Sequence, residues 1–172
     1  TAKGSSEPIA SADVARELAD DIGYPVIIKA AAGGGGIGMQ IVEQADEFEG
    51  ALKLCQSRAR SAFGDDRVFV EKYILGAQHV EFQVLADGKK AIHFGERFCS
   101  IQRRHQKLVE EGPWLDDEKR TEIGELVCRG AEAVGYKGLA TFEFLRDANG
   151  DFYFLEVNPR VQVEHTVTEL LT

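Results

Sequence analysis

Past the apolar run Phe152-Tyr-Phe-Leu, the segment Glu156-Val-Asn158-Pro-Arg160-Val-Gln162-Val-Glu164-His165 sets out carboxylates, an amide and a guanidinium in quick succession. Side chains of these types are costly to bury unpaired, so a strand that only filled a core would not collect them. Aimed together from a strand end, they suit a divalent cation and an anionic substrate. A second acid joins them by geometry. With Asp147–Gly150 as a four-residue hairpin loop, Glu143 lies opposite Phe154, and Glu156 becomes its diagonal neighbour on the same face. Such neighbours sit ~7–8 Å apart at Cα, so both carboxylates could hold one or two Mg²⁺ ions against phosphate oxygens. Asn158, two residues further, adds an amide oxygen. The competing reading is a pair of solvated acids, which like-charge repulsion disfavours without a cation.

Arg160, Gln162 and Glu164 alternate, so an extended segment points all three the same way. Arginine with glutamine suits a small planar oxyanion, and Glu164 is placed to take or give a proton. The strip Gln102-Arg-Arg-His-Gln-Lys107 is basic. Its His105 and Lys107 also alternate and reach the same anion or a phosphate chain; otherwise Arg103, Arg104 and Lys107 form a solvated strand edge.

Upstream, Ala31-Ala-Gly33-Gly-Gly-Gly36-Ile37-Gly38 lies between two predicted strands. Without Cβ atoms such a run can lay backbone N–H groups along phosphates and flex as a lid. It is neither a Walker A loop nor a dinucleotide fingerprint, because a strand, not a helix, follows. Lys29 ends the preceding strand beside it as a natural phosphate partner, making the pair a candidate triphosphate grip. Glu71-Lys72-Tyr73-Ile74 closes another strand and offers backbone groups to an adenine edge. His79 and His165 are candidate ligand contacts; His93 reads as structural.

The elements that must position these groups follow from periodicity. Ser11–Ile22 is predicted helical with Val14, Leu18 and Ile22 on one face, stopped by Gly23. Pro25–Ala30 and Met39–Glu43 are short strands. Asp46 and Glu49 have capping-box spacing ahead of a helix whose face is Phe48, Leu52, Cys55, Ala59 and Phe63. With the strand Arg67–Ile74 this gives an α-β-β-α-β unit. Longer strands follow, His79–Ala86 and Lys90–Phe98, joined at Asp87-Gly88. A helix over Asp116–Val134 carries Ile123, Leu126, Val127, Ala131 and Val134, with Gly135 as its C-cap. Strands Leu139–Arg146 and Asp151–Val157 close the pattern. The expected fold class is α+β, in two lobes, 1–75 and 76–172.

The chain has 172 residues, enough for one large or two small cores, and a net charge of −9. That charge argues against a general nucleic-acid or anionic-membrane binder, so any phosphate site is a local concentration of cations. Cys55, Cys99 and Cys128 have no CxxC spacing and read as reduced thiols in a reducing compartment. No run approaches the ~18 apolar residues of a membrane span. The start without Met and the stop inside an apparent helix suggest a piece of a longer protein.

These strings, in this order, resemble the ATP-grasp enzymes and, within them, the biotin carboxylases. The resemblance is carried by Gly23-Tyr-Pro-Val-Ile-Ile-Lys29-Ala, Gly33-Gly-Gly-Gly-Ile-Gly-Met39, Val70-Glu-Lys-Tyr73 and His79-Val-Glu-Phe-Gln-Val. It continues through Cys99–Glu111, Thr141-Phe-Glu-Phe and Glu156–His165, covering nearly the whole chain. It implies an ATP-grasp lid lobe over 1–75 and part of the catalytic lobe over 76–172. It implies ATP binding by Lys29, Gly35, Gly36, Met39, Glu71, Lys72, Tyr73, Ile74, His79, Gln102 and His105. It further implies Mg²⁺ or Mn²⁺ on Glu143, Glu156 and Asn158, and bicarbonate on Lys107, Arg160, Gln162 and Val163. Glu164 would deprotonate bicarbonate, Arg160 would steady the biotin enolate, and Lys107, Arg160 and Glu164 form the catalytic set. The implied reaction is ATP-dependent carboxylation of biotin through carboxyphosphate. Implied partners are a biotinylated carrier domain and a carboxyltransferase component in an oligomeric parent, cytoplasmic or in a mitochondrial matrix. Ile37 stands where this family often has Arg or Lys, and Gln78 where arginine is frequent. The rival readings are a carbamoyl-phosphate synthetase-like ligase, which lacks the Gln-Arg-Arg-His-Gln-Lys strip, and a catalytically silent regulatory module. As a piece, the chain is not expected to turn over alone.

Overall fold

The computed structural model describes residues 1–33, 38–103 and 106–172. The chain divides into two units, Ala2–Leu75 and Gly76–Thr172. In the first, α1 (Ala12–Ile22) starts at Ser11, whose hydroxyl accepts from the Val14 N–H, and ends at Gly23 with φ of 79°. Strands β1 (Val26–Ala30) and β2 (Met39–Val42), helix α2 (Phe48–Phe63) and strand β3 (Val68–Lys72) follow, and the antiparallel sheet runs β2-β1-β3. Alternation decides its faces. Val26, Ile28, Val42, Val68 and Val70 pack under both helices with Ala15, Ala19, Phe48, Leu52 and Cys55. Ile27, Lys29, Phe69 and Glu71 take the other face, only half-buried.

Gly38 needs to be glycine. Its φ is 76°, and a Cβ there would stand 2.9 Å from the Cβ of Ala30, closer than carbon atoms pack. This fixes Gly38 beside the end of β1, where the Ala30 N–H donates to the Gly38 carbonyl at 2.9 Å.

Two local expectations fail here. The buried face of α1 is Ala15 and Ala19, while Val14 is 51% exposed; small side chains let the helix settle close to the sheet, with Leu18 and Ile22 flanking the contact. The Asp46–Glu49 capping box does not form. A short 3₁₀ turn, Ala45–Glu47, precedes α2, which begins without a side-chain cap, and Glu49 turns to Lys53 instead. Phe63, at the last turn of α2, lies largely outside the core.

The second unit is a five-stranded antiparallel sheet ordered β6-β5-β4-β7-β8, with β4 Gln78–Asp87, β5 Ala91–Arg103, β6 Gln106–Glu111, β7 Lys137–Arg146 and β8 Phe152–Asn158. The Asp87 carboxylate accepts from the N–H groups of Lys89 and Lys90 and makes the first turn. Helix α3 (Asp117–Ala133), capped by Asp116, covers one face of the sheet. There Val80, Phe82, Val84, Ala86, Ile123, Val127, Ala131 and Phe144 form the core. Leu126 and Val134, expected on that face, are exposed. Residues of opposite parity, Glu81, Gln83, Thr141 and Glu143, are also buried. They occupy the second face, where α4 (His165–Leu171) packs against β5. Among the described residues no helix is long and apolar enough to cross a membrane.

Candidate active site

The second face of the larger sheet carries a row of acids. Antiparallel register sets Glu81 of β4 opposite Glu143 of β7, and Glu143 opposite Glu156 of β8. Like charges directly opposite one another destabilise a strand pair unless something offsets them. Lys107, from β6, supplies the offset: its Nζ donates to Glu81 at 2.5 Å, Glu164 at 2.6 Å and Glu143 at 3.1 Å. An ammonium has three donors, and all three are engaged. Arg97 of β5, 1% exposed, holds the other Glu81 oxygen through Nε at 2.8 Å.

The register differs from the four-residue-loop expectation. Near the hairpin Phe144 pairs with Phe154, and beyond an irregularity Glu143 pairs with Glu156, leaving Leu155 as an extra residue on β8. Without this bulge Glu143 would face Leu155, and Glu156 would project from the opposite face. The bulge re-aims Glu156, as bulges beside sites do. Glu143 and Glu156 are therefore direct rather than diagonal neighbours. The Asn158 amide bridges them, donating to Glu143 at 2.9 Å and reaching Glu156 at 3.4 Å. The three expected cation ligands come together.

The segment after β8 is not extended as expected. It bends at Arg160 and turns at Val163–Glu164 into α4. Gln162 is buried and donates to Glu143 at 3.2 Å, leaving its Oε1 buried without a partner among the described residues. Glu164 sits one turn before Thr168 and meets Lys107. Arg160 does not join them: it is exposed, its guanidinium on the Val161 carbonyl, and Val163 is 89% exposed. The turn breaks the alternation that would have aligned all three side chains.

His79 stacks its contacts at the same place. Its Nδ1 lies 2.8 Å from the Gln102 amide, and its Nε2 lies 2.9 Å from a Glu143 oxygen, off the line a directed hydrogen bond needs. Near the end of β5, Gln102 pairs with Lys107 and Arg103 with Gln106, so the basic strip spans two strands instead of forming one edge. Arg104 and His105 lie outside the described residues. His165 is mostly buried, 3.7 Å from Glu169.

Burial pushes the Glu143 carboxyl up, but His79 and Lys107 outweigh it and hold it at about 2. Burial also raises Glu164, and Lys107 with Arg97 brings it below the ordinary carboxylate range. Burial opposes charge on Lys107, yet Glu81, Glu164 and Glu143 make its ammonium harder to deprotonate than usual. Among the described residues Glu81, Glu143, Glu156 and Glu164 are met by Lys107, Arg97 and the His79 ring, and this excess of acids suits a divalent cation. His79, Glu81 and Glu143 also bring ligand atoms within 4.8 Å of one another. Lys107 already bonds Glu81 and Glu143, and the oxygen donors Glu143, Glu156 and Asn158 are the set whose chemistry suits a hard cation.

In the smaller unit, Lys29 pairs in register with Met39 and donates to Glu71 at 2.5 Å on the helix-free face of the sheet. Lys72 turns away, donating to the carbonyls of Gly23 and Tyr24. The Lys72 N–H goes to Lys3 and the Tyr73 N–H to Pro25, so these two donors are engaged within the unit; Ile74 follows, half-buried. Gly35, Gly36 and Ile37 lie outside the described residues.

Sequence reasoning passed over Glu81, Arg97 and Thr168. The signal for Glu81 was present: Glu81 and Gln83 alternate with Val80, Phe82 and Val84, which places them on the face of His79.

A helix-backed antiparallel sheet with buried acids, together with a small α/β unit, is the α+β architecture of ATP-grasp enzymes. The sequence pattern described as "Carbamoyl-phosphate synthase L chain, ATP binding domain" matches residues 1–172, and the chain belongs to that family. It is 50% identical to biotin carboxylase 2, chloroplastic, of Populus trichocarpa, covering 100% of this chain and 33% of that protein. It is likewise 50% identical to biotin carboxylase 1 of Bacillus subtilis, covering 98% and 38%. The chain thus spans about a third of the length of these curated relatives. A biotin carboxylase–beta-gamma-ATP complex from Campylobacter jejuni superposes with a TM-score of 0.94 at 52% identity, over 99% of this chain and 39% of that one. The biotin carboxylase domain of Hydrogenobacter thermophilus 2-oxoglutarate carboxylase, bound to MgADP, ADP and bicarbonate, gives 0.94 at 45% identity, over 99% and 38%.

Proposed function

We propose that this chain supplies the ATP, cation and bicarbonate groups of a biotin carboxylase. The observation that carries the reading is Lys107, held between Glu81, Glu143 and Glu164 beside buried Gln162, with Glu156 and Asn158 continuing the row. Lys29 and the strand end Glu71–Ile74 are assigned to ATP with Met39, Gly35 and Gly36; His79, Gln102 and His105 are also assigned to ATP.

Glu143, Glu156 and the Asn158 carbonyl, after half a turn of its amide, are the assigned ligands of Mg²⁺ or Mn²⁺. A cation there would screen phosphate oxygens during phosphoryl transfer. With Glu143 committed to that role, Lys107 recovers a donor for an anion. Lys107, Gln162, the Val163 backbone and Arg160 then hold bicarbonate, and Glu164, ionised at neutral pH, accepts its proton. A bicarbonate oxygen attacks the γ-phosphorus, the bond to ADP breaks, and carboxyphosphate forms. Carboxyphosphate breaks into CO₂ and phosphate, the phosphate takes the N1′ proton of biotin, and the resulting enolate, steadied by Arg160, forms the N1′–carbon bond to CO₂. Positioning and charge screening do most of this work. The carrier domain, the carboxyltransferase, an oligomeric parent and a cytoplasmic or matrix location belong to the same proposal.

The test is bicarbonate-dependent ATP hydrolysis by the full-length protein, with and without free biotin. Stimulation by biotin, abolished by Glu164→Gln and weakened in Mg²⁺ dependence by Glu156→Gln, is the expected result. Biotin-independent formation of carbamoyl phosphate from ammonia would instead favour the synthetase reading. Biotin carboxylation by the 172-residue chain alone would overturn the assignment of a partial site.

A further inference from the structure

Arg97 is the most deeply buried cation of the described chain, at 1% exposure, and it touches no group assigned to a ligand. Its Nε donates to Glu81 at 2.8 Å. Its Nη1 donates to Gln83 at 2.8 Å and to Thr168 at 2.7 Å, and its Nη2 to Thr141 at 3.3 Å. One guanidinium therefore ties together β4, β5, β7 and α4. A guanidinium is a rigid, planar fork, so these partners are held at fixed angles as well as fixed distances.

The Thr168 contact is the one with reach. Glu164 stands at the N-cap of α4 and Thr168 lies four residues on, so the two share a helix face. Thr168 is 3% exposed and pinned to Arg97, while Glu164 is pinned to Lys107 at 2.6 Å. Arg97 and Lys107 are themselves joined through the two oxygens of Glu81. The result is a closed circuit: Arg97, Glu81, Lys107, Glu164, one turn of α4, Thr168, and back to Arg97.

We infer that Arg97, acting through Thr168 and Glu81, is a positioning residue that sets the reach of Glu164 and the placement of the Lys107 ammonium. It does so from behind the site, without contacting any proposed substrate. The purely structural alternative is a buried ion pair that stabilises the sheet and leaves α4 to dock by its apolar contacts. The two differ in what the Thr168 hydroxyl does. Under the inference it is the pin; under the alternative its methyl group is what matters. The functional consequence rests on the biotin carboxylase reading, but the geometric claim does not.

The experiment uses ¹⁵N-labelled chain and the side-chain ammonium resonance of Lys107, assigned by its loss in Lys107→Arg. Three hydrogen bonds and burial should keep the Lys107 protons from exchanging, so this signal reports its cage directly. Thr168→Val, which keeps the shape and removes the hydroxyl, is expected to abolish or shift the Lys107 signal while the backbone amides of residues 2–75 stay in place. Thr168→Ser, which keeps the hydroxyl, is expected to retain it. A signal unchanged in Thr168→Val overturns the inference. So does its loss in both variants, which would assign the effect to packing. In the full-length protein, Thr168→Val should raise the bicarbonate requirement and leave ATP affinity alone. Loss of the Lys107 signal with an unaltered bicarbonate requirement would uphold the positioning role and count against the bicarbonate assignment.

Discussion

Replacing Lys107 with methionine separates a charge-compensated cluster from a conventional core. Methionine fills similar space, so little cavity is created, and the change is mainly the loss of one cation. Glu81 keeps Arg97, but Glu143 and Glu164 lose their Lys107 contacts inside a site where Lys107 is only 16% exposed and Glu143 6%. Removing one partner of a buried pair costs about 3–5 kcal/mol. Glu81 retains its second cation and Glu164 is partly exposed, which argues for about 3 kcal/mol at pH 7.5. Trp114 provides the probe. It is the one tryptophan of the chain and stacks on Phe98 at 4.6 Å in the larger unit, so its fluorescence follows that unit alone. With a urea slope of about 1 kcal/mol per molar, the midpoint should fall by about 3 M. The sign of the pH effect follows from the same contacts. Lys107 holds both acids ionised; without it they take up protons more readily, and protonation removes the uncompensated charge. The deficit should therefore shrink from pH 7.5 toward pH 4.5, and millimolar Mg²⁺ should recover part of it at neutral pH. A midpoint within 0.5 M of the parent at pH 7.5 (about 0.5 kcal/mol on that slope), or a deficit that grows in acid, would refute the reasoning.

Four further outcomes can be checked by the same fluorescence. On α3, a Cβ at Gly124 would stand 2.4 Å from the His93 ring, whereas one at Gly130 would meet Phe142 at an ordinary 3.6 Å. Gly124→Ala is expected to destabilise by about 1–2 kcal/mol through overpacking, and Gly130→Ala to stabilise by about 0.5–1 kcal/mol through reduced chain entropy. Asp116→Ala removes the acceptor for the Lys119 N–H, at 2.8 Å, and should cost about 1 kcal/mol. Glu143, held at about 2 against the usual 4.5, contributes stability that is complete above pH 4.5 and lost as pH falls toward 2. The contribution is about 3 kcal/mol, and acid titration of Glu143→Gln should lack it.

Much of this architecture was readable because strand alternation and helix period act locally. The α-β-β-α-β order, the faces of β1 and the buried stripe of α2 all follow from residues within a few positions of one another. What escaped depends on contacts remote in sequence. Nothing in Phe152–Asn158 announces that Leu155 is extra; the bulge exists only relative to β7. The turn after Pro159 likewise cancels the alternation of Arg160, Gln162 and Glu164, as the chain bends into α4, whose Thr168 meets Arg97. In α1 the apolar spacing favoured Val14, yet the sheet accepts the smaller Ala15 and Ala19. Charge at Glu81 and Arg97 was visible, but their burial depends on partners from four separate elements.

The arrangement of acids also bears on why this face is built as it is. Stability alone would favour apolar residues of similar volume over buried ion pairs, and the opposite face of the same sheet shows that the chain readily supplies them at Val80, Phe82 and Phe144. Instead Glu81, Glu143 and Glu156 stand side by side on adjacent strands, with a bulge at Leu155 serving to bring the third into line. In the free chain the protein's own groups satisfy them: Lys107 reaches Glu81, Glu143 and Glu164, and the Asn158 amide spans Glu143 and Glu156. Each of these contacts is one that a ligand could take over. A cation on Glu143 and Glu156 would displace the amide donor and loosen Lys107, and an anion on Lys107 would displace a carboxylate. On the proposed assignment, the contacts that hold these groups in the free chain are of the same chemical kind as those a cation and an anion would replace.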